Sequence, residues 1–286
     1  MQGTRLRHSG RGHGLSESNG EDRTMVKRTG LLPFLGTLAL LMNPVKAHAQ
    51  LDFRNLDEGR PLRTEDAYPV ERYAFELVAG YSYESEPGDL RAHTLLPELA
   101  YGIVSNGMIG FAAPLAAQLT PNGTDYGLAG VELFALFNFN TEAPLLPALS
   151  VRVDAAFPVG ALAGDETALA FTGIATRSWG RTRMHVNAGA TIAGGGGARW
   201  NVSGAVDRTL IRKSMLVGAE VRLQEAGEGL PVELTGALGA RMQLTPTAVI
   251  DLGIARRLRA DAGPDLALTF GYSHAFAIAG LIPAIR

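Results

Sequence analysis

The sequence has no cysteine and little charge, and both absences exclude kinds of chemistry. Without cysteine among its 286 residues, the chain forms no disulfide and has neither a thiolate metal ligand nor a cysteine nucleophile. Charged residues make up 19% of the chain, against about 25% in ordinary globular domains. The formal net charge of -2 gives no basic field for nucleic acid, so we expect no nucleic-acid partner.

Long apolar runs are also absent, although hydrophobic residues make up 46% of the chain. A membrane-spanning helix needs about 20 apolar residues, and the most apolar run, Leu31–Leu41, is shorter and contains Pro33. Glycine, by contrast, accounts for 35 residues, well above its usual share of about 7%. This combination excludes collagen, a coiled coil, a disordered acidic tail and a helical membrane protein. It indicates a β-rich chain.

The apolar run has the flanks of a secretory signal peptide. The basic pair Lys27-Arg28 precedes it and the small-x-small sequence Ala47-His48-Ala49 follows it, so residues 25–49 contain the three signal-peptide regions in order. The alternative is a buried helix of the finished protein. Residues 1–24 are polar, and we interpret them as a non-native N-terminal extension from an over-called start codon, with a long n-region as the alternative.

From Tyr73 onward the hydrophobic pattern has a period of two, which is the period of β-strands. In Tyr73–Tyr83 the odd positions are apolar or aromatic, whereas the even ones include Glu76. The pattern is less clear over 107–118 and 167–178, where alanine and glycine blur it. Eleven breaks with turn-forming residues separate the segments. They fall at 85–89, 105–107, 120–125, 140–147, 159–166, 180–182, 194–197, 209–213, 225–231, 245–247 and 259–264.

Eleven breaks predict twelve strands, and the length of the region agrees. The 204 residues of Tyr73–Phe276 give 17 for each strand and connection, which fits a tilted spanning strand of about 10 residues and a loop. Alternation alone also suits a soluble sandwich, but the signal peptide, the even strand count and aromatic residues near strand ends favour a membrane barrel. The sequence therefore predicts an all-β fold, a closed antiparallel transmembrane barrel over residues 73–276. A soluble exported β-protein is the alternative.

The polar faces of the predicted strands would line the lumen of such a barrel. They carry acids, bases and one histidine: Glu76, Glu98, Glu132, Arg152, Asp154, Arg183, His185, Glu220, Arg222, Glu233, Arg241 and Asp251. Mixed charges at this density can form a transverse field in an open pore or a salt-bridge ladder that closes a narrow one. They can also be purely structural. Twelve strands are intermediate between filled eight-stranded and open sixteen-stranded barrels, so the pattern leaves conduction open.

Two segments near the start of the predicted barrel resemble a known family. The run Leu62–Glu71 leads directly into the first strand, and Arg91–Gly102 forms the second strand before the turn at Asn106-Gly107. These segments resemble the outer-membrane barrels named for the meta-pathway of phenol degradation, which are often described as transporters. The resemblance covers residues 60–276, with its specific motifs in the first half. It implies an outer-membrane location and the passage of small, often aromatic, compounds.

Residues 50–72 precede the barrel, carry many charges and have no period. We interpret them as a periplasmic arm or as a plug that enters the lumen. As a hypothesis, the family-like stretch from Thr64 to Glu71 docks in the barrel mouth and gates it. Its candidate residues are Thr64, Glu65, Asp66, Tyr68 and Glu71.

The C-terminus departs from the usual pattern of outer-membrane barrels, which finish on an aromatic residue that the assembly machinery reads. Here Phe276 is followed by a ten-residue tail, 277–286. Either Phe276 serves from an internal position or the signal is altered. As partners we expect outer-membrane lipid, the assembly machinery and a small apolar or aromatic solute.

Motifs of catalysis are absent from the chain after the signal peptide. It has three histidines and neither H-E-x-x-H nor G-x-S-x-G. The glycine run 194–197 leads into another strand, whereas phosphate binding needs a helix N-terminus. The sequence therefore predicts no enzyme, no metal and no cofactor. Two functions remain: a passive channel for small apolar or aromatic compounds, or a non-conducting structural or sensing barrel.

Overall fold

The computed structural model describes residues 50–57, 59–194, 197–210, 214–225, 231–259 and 263–282. The expected N-terminal extension (1–24), the signal peptide (25–49) and the last residues of the tail (283–286) lie outside the described residues. Within the described part, no helix has the length and apolar character needed to cross a membrane.

The described residues form fourteen β-strands in one antiparallel sheet. In chain order they are β1 (Ala74–Glu86), β2 (Leu90–Val104), β3 (Gly107–Ala112), β4 (Leu115–Thr120), β5 (Gly123–Leu128), β6 (Val131–Asn140), β7 (Ala148–Phe157), β8 (Ala168–Trp179), β9 (Thr182–Ala193), β10 (Ala198–Thr209), β11 (Met215–Glu225), β12 (Val232–Thr245), β13 (Ala248–Arg259) and β14 (Leu266–Ala277). A short 3-10 helix, Ala279–Leu281, follows.

The sheet closes on itself into a barrel. On one side β1 pairs with β14, with Ala74 opposite Ala277, and on the other side it pairs with β2, with Phe75 opposite Tyr101. Neighbouring strands pair in sequence from β6 to β14, and β3 connects β2 to β6. Closure satisfies backbone groups that hydrocarbon cannot. The predicted closed antiparallel β-barrel is confirmed.

Two of the barrel strands are interrupted, which explains why twelve strands appear as fourteen segments. Both β3 and β4 pair with β2 and are separated by Ala113 and Pro114, while β5 and β6 are separated by Ala129 and Gly130. Pro114 has no N–H for the ladder, and Gly130 has a φ of 133°, which side chains rarely adopt. Because the Ala129 N–H donates to the Pro114 carbonyl (2.8 Å), the backbone stays bonded here. The predicted count of twelve strands is therefore confirmed.

The two faces of the barrel wall differ as the alternation predicts. Outward side chains are large, apolar and exposed, for example Leu238 at 62% and Leu252 at 59%. A continuous apolar surface of this kind is covered by lipid in a membrane barrel. Inward side chains are buried even where they are charged, as for Arg241 at 0% exposure. Their burial requires something to fill the lumen.

The first and the last strand place both chain ends of the barrel at the same end of its axis. Because strand directions alternate, β1 begins and β14 ends beside the two-residue turns 105–106, 180–181 and 246–247, whereas the longer loop 158–167 lies at the opposite end. Outer-membrane barrels have short turns on the periplasmic side and longer loops outside. We therefore call the end with the short turns the periplasmic end.

Candidate functional site

The described residues of 50–72, here called the arm, enter the barrel from one mouth and return to it. The arm starts beside the turn between β12 and β13, where the Leu51 N–H donates to the Pro246 carbonyl (2.9 Å). It turns near Gly59, which has a φ of 82°, and then returns to the periplasmic end. There the Tyr73 N–H donates to the Gly102 carbonyl on β2 (2.7 Å). The arm thus occupies the lumen as a loop whose two ends are at the same mouth.

Ion pairs attach the first half of the arm to β12 and β13. Nη2 of Arg241 lies 2.7 Å from Oδ2 of Asp57, and Nη1 of Arg60 lies 3.4 Å from Oδ2 of Asp251. Arg241 is also 3.9 Å from Glu76 on β1. Removing one partner of a buried pair costs about 3–5 kcal/mol because the other charge is left uncompensated. Loss of either partner would therefore destabilise the docked arm.

A second set of ion pairs holds the later half of the arm against the opposite strands. Nη1 of Arg152 on β7 lies 3.0 Å from Glu65, and Nη1 of Arg183 on β9 lies 3.2 Å from Asp66. The side chains of all four residues are at most 6% exposed. Burial raises the pKa of Asp66 above its ordinary value, and the charge of Arg183 offsets only part of this effect.

Each of these arginines also pairs with an acid of the wall itself. Arg152 contacts Asp154 on the same strand (2.7 Å), and Arg183 contacts Asp207 on the adjacent strand β10 (2.8 Å). These wall pairs lie along the inner face of the barrel, whereas the pairs with the arm extend into the lumen. The arm therefore connects charges of opposite walls.

His185 lies at the centre of a buried hydrogen-bond chain that ends on the arm. The Ala67 N–H donates to Oγ1 of Thr176 (3.0 Å), which is 3.0 Å from Nδ1 of His185, and Nε2 of His185 is 2.8 Å from Oδ2 of Asp207. Since the Thr176 hydroxyl accepts from Ala67, its proton is available to Nδ1, and we assign the His185 proton to Nε2. His185 thus positions Thr176 for the arm backbone.

Hydrogen bonds also hold the arm at Thr64, deep in the lumen, and at Tyr68, where the arm returns to the periplasmic mouth. Oγ1 of Thr64 donates to Oγ of Ser203 (2.8 Å), and the Thr64 N–H donates to Glu220 (2.5 Å). Near the periplasmic mouth the Tyr68 hydroxyl donates to Glu142 (2.9 Å). Burial and this hydrogen bond raise the pKa of Tyr68. The pKa of Glu142 is lowered, because hydrogen bonds from its partners outweigh the effect of burial.

Apolar packing closes the periplasmic mouth around the start of the arm. Leu51, Phe53 and Leu56 form a buried cluster with Leu216 and Val249 of the wall. Full burial of such a side chain contributes about 1.5–3 kcal/mol. The two wall residues occupy inward positions that the alternation predicts to be polar, and they are apolar because the arm covers them.

A polar cavity remains above the arm, on the side away from the periplasmic end. Its volume is about 210 Å³, and Arg63 and Glu65 of the arm contribute to its lining. The wall contributes Glu132, Asp154, Ala156, Ala168, Ala170, Thr172, Asn187, Thr191, Asn201 and Arg222. Because carboxylates, guanidinium groups and amides dominate this lining, the cavity suits polar solutes and water better than apolar ones. We call it the vestibule.

The structure places the predicted lumen residues in two groups. Nine are buried inside the wall: Glu76, Arg152, Asp154, Arg183, His185, Glu220, Glu233, Arg241 and Asp251. Glu98, Glu132 and Arg222 are partly buried. In the arm, Thr64, Glu65 and Asp66 are buried and contact the wall. Tyr68 is partly buried, and Glu71 is exposed, where its carboxylate accepts from the Gln50 N–H (3.2 Å).

Several residues of the site were not predicted. Asp207 has the inward parity of β10, so extending the alternation along that strand would have found it. Thr176 also faces inward, but it lies in the segment 167–178, where alanine and glycine blur the pattern. Asp57 and Arg60 lie in a segment without a period, and no sequence signal singles them out.

Among the described residues, no group of three or more acids and histidines is arranged to hold a metal ion.

Comparison with known proteins identifies the fold. No protein-family model matches the chain, and no curated protein matches it in sequence. The COG4313 outer membrane channel from Pseudomonas putida F1 has 12% identity and a TM-score of 0.61, with 78% of this chain and 100% of that chain covered. The KdgM porin in complex with disordered oligogalacturonate has 10% identity and a TM-score of 0.50, with 70% and 99% covered. The chain therefore has the fold of outer-membrane β-barrel channels and porins.

Proposed function

We propose that the protein is an outer-membrane channel for small solutes that its own N-terminal arm closes. The observation that carries this proposal is that the buried arginines of the lumen make two kinds of ion pair, one within the wall and one with the arm. Arg152 and Arg183 pair with acids of their own or the adjacent strand, and Glu65 and Asp66 of the arm pair with them from within the lumen. Withdrawal of the arm would leave a lumen lined by paired, hydrated charges, as in an open pore.

A non-conducting barrel with a structural or sensing role is the second candidate. It is favoured by the buried ion pairs between arm and wall, because a permanently fixed arm would seal the lumen. The contact between Arg241 and Glu76, which spans from β12 to β1, supports the same view. The two candidates differ in one property, namely whether the arm leaves.

The solute is a separate part of the proposal. The family resemblance implies a small apolar or aromatic compound, whereas the vestibule is lined mainly by polar groups. Uptake into liposomes of benzoate, an aromatic anion, should be compared with uptake of the polyol inositol. Faster uptake of benzoate would support the aromatic solute, and faster uptake of inositol would contradict it.

Deletion of residues 50–70 tests the gate directly. Planar bilayers with the full-length barrel should show a small or intermittent current, and the deletion variant should show a current at least tenfold larger because the lumen is empty. Heat-dependent mobility in gels reports whether the variant has folded. A folded deletion variant with unchanged current would contradict gating by the arm and favour the non-conducting barrel.

A further inference from the structure

An apolar groove crosses the outer face of the barrel at its periplasmic end. It has a volume of about 660 Å³ and runs over β10, β11, β12 and β13. Ala219 and Ala240 contribute small side chains to it, whereas Leu238 and Leu252 contribute large, exposed ones. Small residues between large ones thus leave a trough in a surface that faces lipid.

The strand register shows that the groove rises from the membrane interface. Arg208 is opposite Val217, Val217 is opposite Ala240, and Ala240 is opposite Leu252. Arg208 is the last residue but one of β10, at the periplasmic end, whereas Ala240 lies five residues from the end of β12. Since strand ends mark the rim of the barrel, this row climbs from the rim toward the middle of the wall.

A cationic site stands at the lower end of the groove. Arg208 is exposed on the outer face, and its Nη1 donates to Oγ1 of Thr182 (3.3 Å), which orients the guanidinium. Arg181 is exposed in the adjoining turn, and its carbonyl accepts from the Thr209 N–H (2.8 Å). Trp179, 56% exposed, ends β8 just before this turn. Arginine and tryptophan at this level are typical of the membrane interface, where lipid phosphates lie.

We propose that this groove binds one anionic phospholipid of the periplasmic leaflet. Its phosphate is held by Arg208 and Arg181, because a guanidinium can donate two parallel hydrogen bonds to phosphate oxygens. One acyl chain lies in the trough over Ala219 and Ala240. This site is on the outer face, so it does not depend on whether the barrel conducts.

A second outer groove provides an internal comparison. It has a volume of about 580 Å³ and is lined by residues of β7, β8, β9 and β10, among them Phe171, Ala190 and Val202. No arginine or lysine belongs to its lining. It therefore offers apolar contact alone, and we expect lipid there to exchange freely.

Retention of phosphatidylglycerol by the purified barrel tests the proposal. Native mass spectrometry of the full-length protein should show one tightly retained phosphatidylglycerol molecule. Arg208→Gln removes the phosphate contact and Ala240→Phe fills the trough, and each should weaken retention at least tenfold. If Ala240→Phe does not fold, Ala219→Leu fills the same trough with a smaller side chain.

Matched controls distinguish this site from general lipid contact. Arg256→Gln removes an exposed arginine from the outer face of β13 near the opposite end, and Ala190→Phe fills the second groove. Both should retain the lipid as the unmodified protein does. Unchanged retention in Arg208→Gln and in the trough variant would overturn the proposal. Complete displacement of the lipid by millimolar inorganic phosphate would also overturn it, because it would show an anion site without an acyl-chain groove.

Discussion

At the scale of single residues, glycines of the wall determine how closely the arm can approach. Gly239 on β12 and Gly253 on β13 face Pro61, and a Cβ at either position would overlap arm atoms. The sequence shows an excess of glycine but not which glycines face the arm. Their partner comes from a segment without a period, so the sequence contains no signal for the contact.

Gly253→Ala is expected to displace the arm. The added methyl group overlaps the Pro61 carbonyl, and overpacking of this kind costs about 1–3 kcal/mol. Trypsin can report the change because it cleaves after Arg63, and the next residue, Thr64, is 0% exposed while the arm is docked. We expect faster cleavage of the arm.

The matched control is Gly173→Ala on the outer face of β8. There the nearest atom to an added Cβ is the Ala188 carbonyl oxygen at 3.7 Å, so the arm should stay in place. Equal cleavage rates in the two variants would show that the close contact of Gly253 with Pro61 does not hold the arm in place.

The inward charges were predictable, but their partners were not. Alternation with a period of two assigns Arg152 and Arg183 to the inner face, and both lie there. Their pairing with Glu65 and Asp66 depends on the path of the arm through the lumen. That path follows from packing against many strands at once, which a local pattern does not encode.

At the scale of elements, the turns and the strand period together specify the barrel. Each predicted break coincides with an observed connection, although parts of four connections lie outside the described residues. The blurred segment 107–118 is the strand that breaks at Pro114, and the missing N–H gives the physical reason. The interruption before Gly130 was not predicted, because a glycine in a strand can also continue the ladder.

A disulfide between the arm and β10 should lock the channel shut. The hydroxyl oxygens of Thr64 and Ser203 are 2.8 Å apart, and the chain has no cysteine, so Thr64→Cys with Ser203→Cys gives one defined bond. In the Gly253→Ala background, oxidation should restore resistance to trypsin and lower the current at least tenfold. Reducing agent should reverse both effects.

The single variant Thr64→Cys in the same background serves as the control for the oxidant. It should show no change on oxidation because it has no partner thiol. A barrel that still conducts after the disulfide has formed would show that solute passes beside the docked arm.

At the scale of the whole molecule, the apolar outer face makes the stability of the barrel depend on its lipid surroundings. Val221 lies in the middle of β11 and is 52% exposed, whereas Val232 begins β12 at the rim and is 40% exposed. In a lipid-embedded barrel, Val221→Arg should lower the free energy of unfolding by about 2–4 kcal/mol and Val232→Arg by about 0–1 kcal/mol. Urea unfolding in phospholipid vesicles measures both. Equal losses at the two positions would argue against a membrane-spanning band at this height.

The direct connection between the arm and β1 has a consequence for the kinetics of the proposed gating. Tyr73 is bonded to β2 immediately after the arm ends, so no flexible linker separates the arm from the barrel, and the arm cannot diffuse away from the mouth. Its local concentration is that of an intramolecular ligand, in the millimolar range or above for short linkers. Under the proposed gating, closure is consequently a first-order process that is independent of how many copies the membrane holds. Each barrel would then open and reclose as a separate unit, and a second molecule that competes for the arm or its binding surface would prolong the open state.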